Sequence, residues 1–251
     1  MHRLEGTIWK TLSDPVDHVI YLEVRNPKTR TVSFSGIDIV KNEWQFRDVS
    51  FEEKRWISLT AVSSGILLFT IYNDSQNPDK KSVLAYSIKS KAIVWWKNNF
   101  VISYVGHDYV TGVDMKFGTK ETVLDIISGS PKAKDMLIPP RQNFKVIHPL
   151  LYQENNPHFE TVKTFLTSKT GVSPRFSVEY CEHHALILIS AFVGDGDLAN
   201  YLFVFNSEGE LVLKETLGEG LKGIAHDTFF LLAGFLIFVK NKSVLVSYKV
   251  L

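Results

Sequence analysis

Apolar and polar positions along this chain alternate in short bursts. Apolar and β-branched runs of about five to eight residues fill most of it, at 19–24, 32–39, 66–72, 83–88, 123–127, 186–192, 201–205 and 231–239. Between them stand turn-forming clusters: Asn26-Pro27-Lys28, the polar stretch 73–78 with Pro78 at its end, Gly129-Ser130-Pro131, Asp195-Gly196-Asp197 and Glu208-Gly209. Asn or Asp beside Gly suits a hairpin, because the tight turns that join twisted strands need positive φ. Helical periodicity is hard to find, so the pattern predicts an all-β chain.

The runs also repeat. The segment 66–72, a polar loop, then 82–88 and 92–97, lines up with 186–192, a polar loop, then 201–205 and 210–214. Each half reads strand, loop, strand, tight turn, strand. Phe34 and Trp44 have the same spacing as Ala85 and Trp95. If the strands around Phe34, Ala85, Leu124, Phe165, Phe203 and Val246 are equivalent, they recur about every 40–50 residues, the period of four-stranded propeller blades. The expectation is therefore a single β-propeller domain over residues 1–251 with about six four-stranded blades, five or seven remaining open because 145–174 is irregular. The last strands lack an outer partner. The segment Gly6-Thr7-Ile8-Trp9-Lys10-Thr11 resembles the outer strand at 93–97, so joining the two chain ends in one blade would remove exposed sheet edges; in another phasing both end blades are complete.

The run from Ala85 to Trp95 resembles the blade signature of quinoprotein-like propellers, in which Ala, Asp, Thr-Gly and Trp follow at set spacing. Ala85 and Trp95 match, while Ser87 stands where Asp is usual and Lys91 where Gly is usual. The resemblance, shared more loosely with WD-like repeats, implies a fold and brings no quinone and no activity. The whole chain also resembles an uncharacterised bacterial propeller-like family, which implies no function either.

Composition narrows the classes. A chain of 251 residues with 45% hydrophobic residues can bury a core without disulfides or metals. Lys and Arg total 28 against 27 Asp and Glu, a net charge of +1, so no global field draws nucleic acid or an anionic membrane. Cys181 is the only cysteine, which fits a reducing compartment and a cytoplasmic location. The start of the chain carries no apolar run of the signal-peptide kind, and the stretch 229–239 is too short to span a bilayer, which takes about 20 apolar residues. No cofactor and no metal is expected.

Candidate chemistry is sparse. His107-Asp108 and His226-Asp227 each precede an apolar strand, as do Asp17-His18 and His183-His184. A ring of such groups at a channel mouth would bind a polar ligand; the other reading is that they cap turns and satisfy strand-end backbone groups. The irregular segment from His148 to Glu160 holds Tyr152, Glu154 and His158, of which Glu154 and His158 would serve as acid and base or hold a metal, unless the segment is only a polar connection. Asp195-Gly196-Asp197 starts like a calcium loop but lacks the later carboxylate, so a hairpin turn is the better reading. Around Cys181, the run Cys181-Glu182-His183-His184 cannot converge on one point, because neighbouring strand residues face opposite ways. Of the adjacent Trp95 and Trp96, only one can face inward.

The sequence thus supports two functions. The first is a non-enzymatic binding or scaffold module that holds another protein. The second is a small-ligand-binding or hydrolytic propeller using His107, Asp108, His148, Glu154, His158, His226 and Asp227.

Overall fold

The computed structural model describes residues 1–14, 16, 18–74, 76–116, 118, 120–133 and 146–250. Among them the chain opens with the short strand β1 (His2–Arg3) and then folds into up-and-down meanders. The first is β2 (Thr7–Asp14), β3 (Val19–Asn26), β4 (Thr31–Asp38) and β5 (Glu43–Val49); the second is β6 (Ile57–Ser63), β7 (Ile66–Tyr72), β8 (Lys81–Ser87) and β9 (Ala92–Lys97). A three-stranded sheet follows, β10 (Phe100–Val105), β11 (Tyr109–Asp114) and β12 (Glu121–Asp125). After it come β13 (Leu150–Gln153), helix α1 (Pro157–Thr170), β14 (Ser177–His183), β15 (Leu186–Val193), β16 (Leu198–Asn206) and β17 (Leu211–Leu221), whose five strands pair in sequence order. The last sheet has the order β1, β20 (Val244–Lys249), β19 (Phe235–Lys240), β18 (Phe229–Leu232). Every pairing is antiparallel, and four-stranded meanders of this kind are the material of propeller blades.

The described residues thus hold five sheets. They divide into two compact units, Glu5–Phe144 and Met1–Leu4 with Lys145–Leu251. In the first unit, Phe34, Phe69, Leu84 and Tyr86 pack between the first two meanders, and Leu68, Ala85, Phe100 and Leu124 pack between the second and the three-stranded sheet. In the other, Leu188, Leu202, Leu236 and Phe238 fill the space between its two sheets, and Phe159, Leu166, Ile189 and Phe203 join α1 to the outer face of the larger one.

One turn recurs and explains the strand spacing. Asn26 accepts from the N–H groups of Lys28 and Thr29, Asp38 from Val40 and Lys41, Asp125 from Ile127 and Ser128, and Ser87 from Ser90. Four residues after each capping side chain the backbone turns to positive φ, at Arg30 (55°), Asn42 (59°), Gly129 (69°) and Lys91 (53°). Ser87 thus performs the capping that Asp performs elsewhere, and Lys91 adopts the backbone usually given to Gly. Only Gly129 has no alternative, since a Cβ there would lie 2.6 Å from the Trp95 ring.

Three expectations are corrected. Ala85 pairs with Trp95, and the matching pair in the first meander is Gly36 with Phe46, two residues beyond Phe34 and Trp44. Phe165, taken as a strand position of the repeat, lies in α1. The chain ends do share a sheet, but through His2 opposite Leu245 and Arg3 opposite Val244; residues 7–11 belong to β2 and pair with β3.

The helix forms for local reasons. The Asn156 side chain accepts from the N–H of His158 at 2.9 Å, Pro157 occupies the first turn, and Gly171 (φ 72°) ends the helix with its N–H on the Thr167 carbonyl. Its buried residues are Phe159, Val162 and Leu166, a narrow stripe at helical spacing.

Candidate functional site

The expected His and Asp positions are mostly occupied with local structure. In the first unit the His107 carbonyl accepts from the hydroxyls of Ser63 and Ser64. Asp108 pairs with Lys132, which also lies 3.7 Å from Asp125, and Asp108 Oδ1 is buried without a hydrogen-bond partner. Asp17 lies outside the described residues. In the second unit His148 Nδ1 stands 3.3 Å from Asp227 Oδ1 and its ring stacks on Phe230 at 5.9 Å, both polar groups being solvent-exposed. His226 is exposed in the connection before β18. Glu154 accepts from the N–H of Phe176 at 2.8 Å and faces Arg175, so it does not meet His158. Asp195 and Asp197 are taken by Arg175 and Lys222. Among the described residues no three His, Cys, Asp or Glu side chains are grouped to hold a metal ion.

Within the second unit, the structure brings together His148 with Asp227, and His158 with residues that the sequence did not single out. The second grouping lines a cleft of about 350 Å³ between α1 and the sheet. From β13 and β14 come Tyr152, Tyr180 and Glu182; from the helix come His158, Thr161 and Phe165. Strand alternation places Tyr180 and Glu182 on one face, while Cys181 between them points the other way into the core. Helical spacing puts His158, Thr161, Val162 and Phe165 along one side of α1.

The cleft combines π surface with one carboxylate. The Tyr152 ring lies 5.2 Å from that of His158 and 6.2 Å from that of Tyr180. The Tyr180 hydroxyl donates to Glu182 Oε1. Burial, together with that carboxylate, pushes the Tyr180 phenol far above its ordinary range, so it keeps its proton. Glu182 has no cationic partner among the described residues, and none of the cleft-lining residues is Lys or Arg. Nearby Lys163 turns to Glu160 at 3.4 Å and lies over Phe159. Cys181 is buried, and burial raises its thiol pKa, which makes it a poor nucleophile. His183 is pushed down by burial and by His184, whose ring is 4.2 Å away.

The alternation rule was in the sequence all along. Tyr180 and Glu182 sit two apart in a strand-like run, a signal overshadowed by the more reactive-looking Cys181 and His183.

A family profile described as a domain of unknown function (DUF4905) matches residues 13–95, which excludes the cleft. No curated protein matches. Among solved structures, the β-propeller domain of the Trilobed protease from Pyrococcus furiosus, described as an open velcro topology, is similar at 10% identity and a TM-score of 0.35, over 98% of this chain and 70% of that one. A chain from a study of two prolyl endopeptidases is similar at 10% identity and a TM-score of 0.28, over 96% of this chain. This chain spans 40% of that one's length.

Proposed function

We propose that the chain is a non-enzymatic binding module whose recognition site is the cleft between α1 and the β13–β14 edge of its sheet. The observation that carries this reading is the grouping of Tyr152, His158, Tyr180 and Glu182 around one cavity. Its volume is at the lower end of small-ligand sites, and its walls mix apolar surface with a few polar groups, the usual make-up of such sites. The chemistry favours holding over reacting. The Tyr180 hydroxyl is engaged by Glu182 and does not titrate near neutrality, and among the described residues no Ser, Cys or Lys nucleophile lines the cleft.

A second surface supports contact with a protein partner. β9 is an edge strand whose Ile93 (49%), Val94 (41%) and Trp96 (48%) are exposed, whereas Trp95 turns inward and donates its indole N–H to the Ile126 carbonyl. The unpaired Cys181 agrees with a reducing, cytoplasmic setting as the proposed location.

The cleft reading is tested by a thermal-shift panel of metals, sugars, nucleotides, amino acids and amines. A ligand at about 100 times its Kd adds about 2.7 kcal/mol, which raises Tm by several degrees. The expected result is a shift by one class of compound that disappears in Tyr152→Ala. A shift that persists in Tyr152→Ala places binding elsewhere and contradicts the assignment.

A further inference from the structure

We propose that the helix–sheet cleft binds an alkylammonium group, with Glu182 as its counter-charge and the Tyr152, Tyr180 and His158 rings as its walls. This inference rests on the cleft being the binding site, as proposed above.

Three features of the cleft point to a cation. The first is the arrangement of the rings, which lie 5.2 and 6.2 Å apart between centroids and are tilted by 38° and 35°. All three rings line the cleft, and the face of a tyrosine ring attracts a cation through its quadrupole. The second is the state of Glu182. One of its oxygens accepts the Tyr180 hydroxyl, and its other oxygen has no hydrogen-bond partner among the described residues. No Lys or Arg among the described residues lines the cleft, and none of them pairs with the carboxylate. The third is the floor. Val162, Phe165 and Ile187 supply apolar contact for the carbon chain that a bare metal ion would not use. An anion would be repelled by the carboxylate, and a neutral ligand would gain nothing from its charge.

The oxygen donors also argue against a calcium-like ion. Hard cations of that kind take six to eight oxygen ligands, and among the described residues the cleft offers one carboxylate and the hydroxyls of Tyr152, Thr161 and Tyr180. An ammonium group needs only one charge partner and the ring faces.

The test uses the full chain labelled with nitrogen-15 and follows its amide resonances. It is titrated with tetramethylammonium chloride and with n-butylammonium chloride at constant ionic strength. Tert-butanol and sodium acetate serve as neutral and anionic controls. Both ammonium salts are expected to move the amides of Tyr152, His158, Thr161, Tyr180 and Glu182, and the two controls are not. Glu182→Gln, an exposed position whose substitution keeps the size of the side chain, is expected to weaken ammonium binding by roughly tenfold or more. An arm with N-acetyl-lysine methylamide separates the sources of the group. Tighter binding than n-butylammonium assigns the site to a lysine side chain of a peptide, and equal or weaker binding assigns it to a free small amine. The inference is overturned if neither ammonium salt moves these amides, or if Glu182→Gln binds them as well as the parent chain does. Movement of the same amides by tert-butanol or acetate alone would end the ammonium assignment and leave the cleft as a binding site. Silence from every probe would overturn the ammonium assignment and leave the cleft to the thermal-shift panel, which tests it with other classes of compound.

Discussion

Two buried glutamates show how a single residue ties neighbouring sheets together within each unit. Glu23 on β3 is fully buried and accepts from Arg25 Nε at 2.7 Å, Ser58 Oγ at 2.8 Å and the N–H of Leu59 at 2.8 Å, linking the first meander to the second. Glu179 on β14 does the same in the other unit, accepting from the N–H of Thr228 at 3.0 Å and from its hydroxyl. Thr228 Oγ1 lies 2.7 Å from Ser190 Oγ, whose hydroxyl donates to Asn200. The two carboxylates differ in charge compensation. Glu23 has a guanidinium, whereas among the described residues no cation pairs with Glu179, and burial raises the Glu179 pKa above its ordinary 4.5 despite the Thr228 bonds. A raised folded-state value means that folding favours the protonated acid. That contribution is complete below pH 4.5, the unfolded value, and is lost as pH rises through the folded one. Glu215 has the opposite sign: burial works against its ionisation, but Lys240 and Tyr248 outweigh burial and lower its pKa. Comparing Glu179→Gln with the parent chain cancels that opposing term. Denaturant unfolding across this range is expected to show the stability difference moving in favour of the Gln variant as pH rises towards neutrality. A difference that stays constant with pH would contradict a raised Glu179.

At the scale of elements, α1 is what turns one face of the five-stranded sheet into a cleft. Its position depends on its first turn, where the Asn156 side chain satisfies the N–H of His158, a residue that itself lines the cleft. Asn156→Ala is expected to cost about 1 kcal/mol in denaturant unfolding, with Asn156→Asp retaining most of the stability. An Ala variant as stable as the parent would show that packing alone holds the helix. The strands were legible in the sequence because short apolar runs and Asx turns report them directly. The helix was not, because only Phe159, Val162 and Leu166 mark its buried stripe and polar residues surround them. Asn156-Pro157 at its start and Gly171 at its end were the signals that would have found it. The repeat register was misread by two residues for a related reason. A shift from Gly36–Phe46 to Phe34–Trp44 keeps every side chain on its own face, so the apolar pattern alone cannot distinguish the two.

For the whole molecule, the described residues hold five antiparallel sheets in two units, and the chain start returns to the last sheet, where β1 covers one edge of β20 and Leu4 is buried. That pairing satisfies an edge that would otherwise be free. The all-β character follows from patterns that recur along the chain, whereas the ends meet through His2 and Arg3 rather than the segment 6–11 that the pattern suggested. The cleft follows from no such pattern, because it joins residues from a helix and two strands that local pattern cannot bring together. His148 and Asp227 illustrate the same limit, meeting across 79 positions of sequence. The central claim is that this cleft is where the chain binds. It is tested most directly by calorimetric titration of the strongest compound from the thermal-shift panel into the parent chain and into Thr161→Trp, an exposed helix position that faces the cleft. The account predicts one site per parent chain and no measurable heat of binding in the filled variant, with the two proteins unfolding at similar temperatures. Unchanged binding by Thr161→Trp would contradict it.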